Sequence, residues 1–128
     1  MTIFGIGVDV VEIERIGLLL DRYDERFAEK VFTETERAYC DSQRDPRPHY
    51  AARFAAKEAV SKAFGTGVGK DLNWTDMEIT RDALGAPKLL LSGAGKAFAE
   101  ANGITDVKIS LSHAKQYAAA NALACCGA

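Results

Sequence analysis

The chain has 128 residues and a mass of 13.8 kDa, the size of one domain. Sixteen Lys and Arg against eighteen Asp and Glu leave a net charge of −2, and 48% of the residues are hydrophobic. This composition excludes intrinsic disorder and contains no apolar run of about 20 residues able to span a membrane. A pI near 5.7 argues against a general nucleic-acid binder.

No repeat, low-complexity tract or linker interrupts the sequence, so residues 1–128 read as a single domain. Residues 3–11 alternate as a strand, with Phe4, Ile6, Val8 and Val10 on one face and Gly5, Gly7, Asp9 and Val11 on the other. Two glycines weaken a strand, so they imply close approach of something bulky. Asp9 shares that bare face. A lone acid among apolar residues is rare unless it is paired, caps a neighbouring turn or binds a metal.

Residues 12–22 predict a helix with an Ile13, Ile16, Leu20 stripe, and 24–30 a second short one. Glu12 and Glu14 suit the positive end of the first. Thr33 and Glu36 have the spacing of a capping box, so a helix is expected from about Thr33 to about Ser42. The stretch QRDPRPH, with two closely spaced prolines, is expected to be a loop. Residues 49–64 predict a long helix that stops at Gly65, the residue type favoured just past a helix end. Strands are expected at about 74–81 and 87–92, joined at DALGAP. A short helix follows at 93–102, then strands at about 106–112 and 116–125 around a turn near HAKQ. This order lacks regular β-α-β alternation and gives an α+β class.

Three cysteines, Cys40, Cys125 and Cys126, form neither a disulfide framework nor a zinc-binding pattern, with only His49 and His113 to assist. The N-terminus lacks the charged start and cleavage site of a secretory signal, so a reduced, cytoplasmic protein is expected. Cys125 and Cys126 are read as small apolar residues of the last strand.

The richest segment is RFAAKEAVSKAFGTG. Arg53, Lys57 and Ser61 recur at i, i+4, i+8, and Glu58 and Lys62 form an i, i+4 pair. On spacing alone these charges read as a solvated helix face. His113 ends the strand VKISLSH in phase with Val107, Ile109 and Leu111, as a part-buried structural histidine or a donor to phosphate. The Gly-rich FGTGVGK follows a helix and lacks the spacing of a phosphate-binding P-loop.

Four segments together carry a resemblance: GIGVDVVEIERI, RFAAKEAVSKAFGTG, the hairpin with GAPK, and LSHAKQYAAANAL. In order and spacing they resemble the holo-acyl-carrier-protein synthases, the small bacterial type of 4′-phosphopantetheinyl transferase, over essentially the whole chain. The resemblance implies the phosphopantetheinyl transferase fold, an antiparallel-rich sheet with a long central helix. It implies transfer of phosphopantetheine from coenzyme A to a serine of apo acyl carrier protein, with release of 3′,5′-ADP, in support of fatty acid biosynthesis. By the same resemblance Asp9 and Glu58 would hold Mg²⁺, and Glu58 and Lys62 would be the catalytic pair. Coenzyme A would be bound by Lys62, Gly65, Pro87 and His113, the last across a subunit interface of a homotrimer, and the cations Arg53 and Lys57 could pair its other phosphate oxygens. Arg15, Arg22 and Arg26 would receive the acidic carrier protein.

Elementary chemistry agrees with that set. Mg²⁺ takes one or two carboxylates plus substrate phosphates, and the glycines beside Asp9 would leave room for a diphosphate. Three arginines on the first helices give local attraction that the net charge does not. The row Ala118, Ala120, Ala122 and Ala124 would permit close subunit packing. A catalytically silent coenzyme A-binding module of the same fold, or a domain of a larger synthase, is the alternative. The presence of both carboxylates favours the enzyme.

Overall fold

The computed structural model describes residues 1–23 and 25–127. Strand β1, Thr2–Glu12, lies antiparallel to β5, Tyr117–Cys126, which in turn lies antiparallel to β4, Ile104–His113. The sheet order is therefore β1-β5-β4, and a separate hairpin pairs β2, Met77–Arg81, with β3, Pro87–Leu91. Among the described residues five helices complete the fold: α1 (Ile13–Arg22), α2 (Glu25–Val31), α3 (Glu34–Asp41), α4 (Pro46–Phe64) and α5 (Gly93–Ala101). This is the expected α+β class. The expected start of the second helix at residue 24 lies outside the described residues.

Helix α4 lies across the inner face of the three-stranded sheet, and the sequence makes that contact unusually close. Register places Gly5, Gly7, Asp9 and Val11 of β1 beside Ala124, Ala122, Ala120 and Ala118 of β5, all on the inner face. A Cβ added at Gly5 would collide with the Ala63 carbonyl, and one at Gly7 with the Ala59 carbonyl. The glycines thus admit the backbone of α4. The bulky neighbour inferred from sequence exists, but the space is filled by a helix and is not room for a diphosphate. The alanine row of β5 is likewise buried within the chain, at 0–4% exposure, so it packs α4 and not another subunit.

The apolar side of β1 faces outward instead, with Ile6, Val8 and Val10 at 72, 61 and 62% exposure. Phe4 does not share that face as expected. A register shift between Ile3 and Gly5 turns it, and its ring meets Phe98 of α5 edge-on at 6.3 Å.

Local signals set most boundaries. Thr33 accepts from the Glu36 amide while the Glu36 carboxylate accepts from the Thr33 amide, so the expected capping box forms at α3. Helix α4 ends at Gly65, whose φ of 79° is left-handed. It begins earlier than expected, because Asp45 caps it and Pro46 and Pro48 fall in its first turn. A first turn has no intrahelical partner for its N–H groups, so proline is harmless there. Residues Trp74–Asp76 form a 3-10 turn in place of the start of a strand, closed by the Asp76 carboxylate on the Asn73 amide. The same carboxylate accepts from the Gly95 amide and so caps α5 from another element.

Candidate functional site

Asp9 stands on the inner face of β1 beyond the two glycines, and Glu58 and Lys62 lie one turn apart on α4. The close seating of α4 brings these three side chains together. Lys62 Nζ donates to Asp9 Oδ1 at 3.0 Å and to the Val8 carbonyl at 2.9 Å. The Asp9 side chain is 18% exposed and that of Lys62 is 52% exposed, so the pair lies at the protein surface. Burial pushes the Glu58 carboxyl above its usual range and the Asp9 charge pushes it further, against the opposing pull of Lys62 and Arg15. Two carboxylates on different elements, with one ammonium and one guanidinium nearby, suit a hard divalent cation and its anionic ligand. A carboxylate with a raised pKa is also a better base near neutrality.

A hard cation of the Mg²⁺ type fits this donor set. It accepts one or two protein carboxylates and fills its other positions with water and phosphate oxygen. Among the described residues no group of three or more His, Cys, Asp and Glu side chains gathers as a richer metal site.

The row Arg53, Lys57, Ser61 is no solvated face. All three are buried, at 3, 0 and 1% exposure. Lys57, expected to reach phosphate oxygens, is turned into the core. Its ammonium donates to Glu36 Oε1 at 2.6 Å, the Val31 carbonyl at 2.7 Å and the Trp74 carbonyl at 3.2 Å, which uses all three of its hydrogens. Burial pushes its pKa down and the Glu36 charge opposes that. In this arrangement Lys57 has no hydrogen left for a phosphate oxygen.

Arg53 belongs to a second locus at the start of α4. Its guanidinium lies 4.4 Å over the Tyr39 ring, its Nη1 donates weakly to the His49 carbonyl, and its buried Nε has no partner. Arg81 approaches the same ring at 5.6 Å. The His49 ring lies edge-on to both Tyr39 and His113, at 5.8 and 5.7 Å. Burial first, then His113, Arg53 and Arg81, pushes the His49 pKa down, with only Asp45 opposing. The expected residues Arg53 and His113 thus come to one place, with His49, Tyr39 and Arg81 added. No periodicity marks those three in the sequence. Their only signal is a ring or a cation near a predicted element end.

Pro87 opens β3 opposite Arg81, on the hairpin end that joins this cluster, and Gly65 caps α4 less than one turn after Lys62. Arg15 and Arg22 are exposed on α1 and Arg26 on α2. Arg15 also lies close enough to bear on Glu58. A cavity of about 450 Å³ between α1, α2 and the start of α4 is lined by Asp21, Glu25, Asp41 and Asp45 against the one cation Arg47, and so disfavours an anionic ligand.

Residues 5–122 match the model of the 4′-phosphopantetheinyl transferase superfamily. A holo-[acyl-carrier-protein] synthase of Ruminiclostridium cellulolyticum is 46% identical over 119 residues, covering 92% of this chain and 89% of the relative. Among solved structures, the holo-[acyl-carrier-protein] synthase of Neisseria meningitidis superposes with a TM-score of 0.90 at 34% identity, over 96% of this chain and 98% of that one. The Helicobacter pylori enzyme, solved in complex with coenzyme A, superposes at 0.84 and 32% identity, over 94% and 99%.

Proposed function

The chain belongs to the 4′-phosphopantetheinyl transferase superfamily, as a holo-[acyl-carrier-protein] synthase, and from this premise we propose that it carries phosphopantetheine from coenzyme A to a serine of apo acyl carrier protein with Mg²⁺ and releases 3′,5′-ADP. One observation carries the chemical part. Lys62 Nζ donates to Asp9 Oδ1 at 3.0 Å and stands one turn from Glu58 on α4, so two carboxylates from different elements come to one place around one ammonium.

In this reading the serine oxygen forms a bond to the phosphorus nearer the pantetheine. The bond from that phosphorus to the oxygen of the departing 3′,5′-ADP breaks, and that oxygen keeps the electron pair. Glu58 is the group placed to take the serine proton. Lys62, at the surface beside Asp9, places a positive charge where the leaving oxygen becomes negative. Asp9 and Glu58 are the carboxylates that would hold Mg²⁺, and the bound ion would neutralise diphosphate charge. The cationic locus of Arg53, His49, Arg81 and His113 suits the remaining phosphate of coenzyme A, with Pro87 on the hairpin beside it, while Gly65 lies at the other end of α4 next to Lys62. Arg15, Arg22 and Arg26 offer an acidic carrier protein a basic docking side. A carrier of fatty acid synthesis is the partner proposed.

Three copies are proposed to assemble through the outer sheet face. Ile6, Val8 and Val10 form an exposed apolar strip, continued by Leu123 and Ala119 in the paired strand, and such strips mark interaction surfaces. The proposed location is the cytoplasm. Among the described residues no helix is long and apolar enough to cross a membrane.

Intact-mass spectrometry of an apo acyl carrier protein incubated with this chain, coenzyme A and Mg²⁺ tests the reading. The expected result is a gain of one phosphopantetheine with stoichiometric 3′,5′-ADP. Coenzyme A binding without any mass gain, across a panel of carriers, would instead establish a silent binding module.

A further inference from the structure

From the contacts of α4 we infer that the buried Lys57–Glu36 pair is the register device of the site: it fixes how α4 is turned and advanced on the sheet, and so positions Glu58 and Lys62 against Asp9. The inference rests on the transferase reading for its kinetic consequence, but not for its geometry. The face that receives α4 is built mainly of small residues, Gly5, Gly7 and the four alanines of β5 beside Asp9 and Val11, and the helix meets its glycines with the backbone of Ala59 and Ala63. Helices normally find their register by seating ridges of side chains in grooves. Glycine and alanine offer almost none, so this contact is close but smooth.

The other side of α4 supplies what the smooth side lacks. Lys57 Nζ joins the end of α2 through the Val31 carbonyl, α3 through Glu36 and the 3-10 turn through the Trp74 carbonyl. The second oxygen of Glu36 accepts from the Ile79 amide of β2 at 2.8 Å, and its first also accepts from Thr33. Four neighbouring elements are therefore tied to one ammonium, and both side chains are 0% exposed. A buried ion pair seldom adds stability over an apolar pair, and its best-attested use is to specify register. Lys57 directly precedes Glu58. A slip of α4 by one residue would shift Glu58 by about 1.5 Å and turn it by about 100°. Misplacement of about 1 Å in an active site costs on the order of a hundredfold in rate. Lys57 is thus a positioning residue, with no hydrogen left for a phosphate oxygen.

The test compares three variants of the full chain with the wild type. Removing one partner of a buried pair threatens the fold, so the main variant neutralises both, Glu36→Gln with Lys57→Met. It is expected to fold and to lose at least about tenfold in kcat, with KM for coenzyme A within about twofold of wild type. The nuclear Overhauser cross-peaks between Gly7 and Ala59 should change with it. The charge-preserving exchange Glu36→Asp with Lys57→Arg should recover most of that kcat. Leu72→Ala, a destabilising change in the core beside Gly95 of α5, should keep wild-type kcat. Wild-type kcat in the folded double-neutral variant would overturn the inference, as would unchanged Gly7–Ala59 cross-peaks or an equal loss in Leu72→Ala. If the wild-type chain transfers nothing, the transferase reading falls alone, and the cross-peaks still decide the register claim.

Discussion

Glu58 shows most plainly how the site sets function against stability. Its carboxyl is half-buried and faces Asp9, so its folded pKa lies above its ordinary value of 4.5. A raised carboxyl pKa means that the folded state favours the protonated form. That favourable contribution is complete below pH 4.5 and is lost as pH rises through the folded value. In metal-free protein at neutral pH, Glu58→Gln should therefore melt slightly higher than wild type, and the difference should shrink below pH 4.5. Thermal melts of both proteins in chelator across that range check it. His49 behaves in the opposite sense. Its pKa is pushed down by burial and by His113, Arg53 and Arg81, with Asp45 alone opposing. A depressed histidine contributes stability above its unfolded pKa of 6.5 and loses it as pH falls. The melting-temperature advantage of wild type over His49→Gln should accordingly fall between about pH 7 and about pH 5.

Asp9, Glu58 and Lys62 were legible in the sequence because a motif and a single acid on a bare strand face both pointed to them. Lys57 was not. A helical wheel cannot tell which face of α4 lies inward when the inward row carries two cations, and only the partner Glu36, distant in sequence, explains it.

Among the elements, close approach of β1 and α4 is the decisive contact. Gly7→Ala would drive a methyl group into the Ala59 carbonyl, a backbone atom that cannot swing aside. We expect a loss of at least about 3 kcal/mol, the upper range for overpacking, measurable by urea unfolding. Element boundaries were readable where a local device sets them, as at the Thr33–Glu36 box and the Gly65 cap. They were missed where a rule was applied out of place. Pro46 and Pro48 look like breakers but sit where a helix has no N–H to lose. The strand start at residue 74 was misread because the Asp76 carboxylate tightens Trp74–Asp76 into a turn and also caps α5.

For the whole molecule, the sequence left open which side of β1 is inside. The alternation holds for Ile6, Val8 and Val10 but not for Phe4, and apolar residues were free to face either way. The Gly face won the interior because only it admits a helix backbone, and Ile6, Val8 and Val10 were left outside. If copies of the chain cover that strip, Val8→Lys should yield monomers by sedimentation velocity while the melting temperature of the isolated fold changes little.

The most direct test of the central claim is the rate of phosphopantetheine gain on apo acyl carrier protein, followed by intact mass for wild type and Glu58→Gln in parallel, with Mg²⁺ and with chelator. The account predicts steady gain only for wild type with Mg²⁺, and at least about a hundredfold less for folded Glu58→Gln. Near-normal gain by Glu58→Gln, or gain that survives chelation, would contradict it.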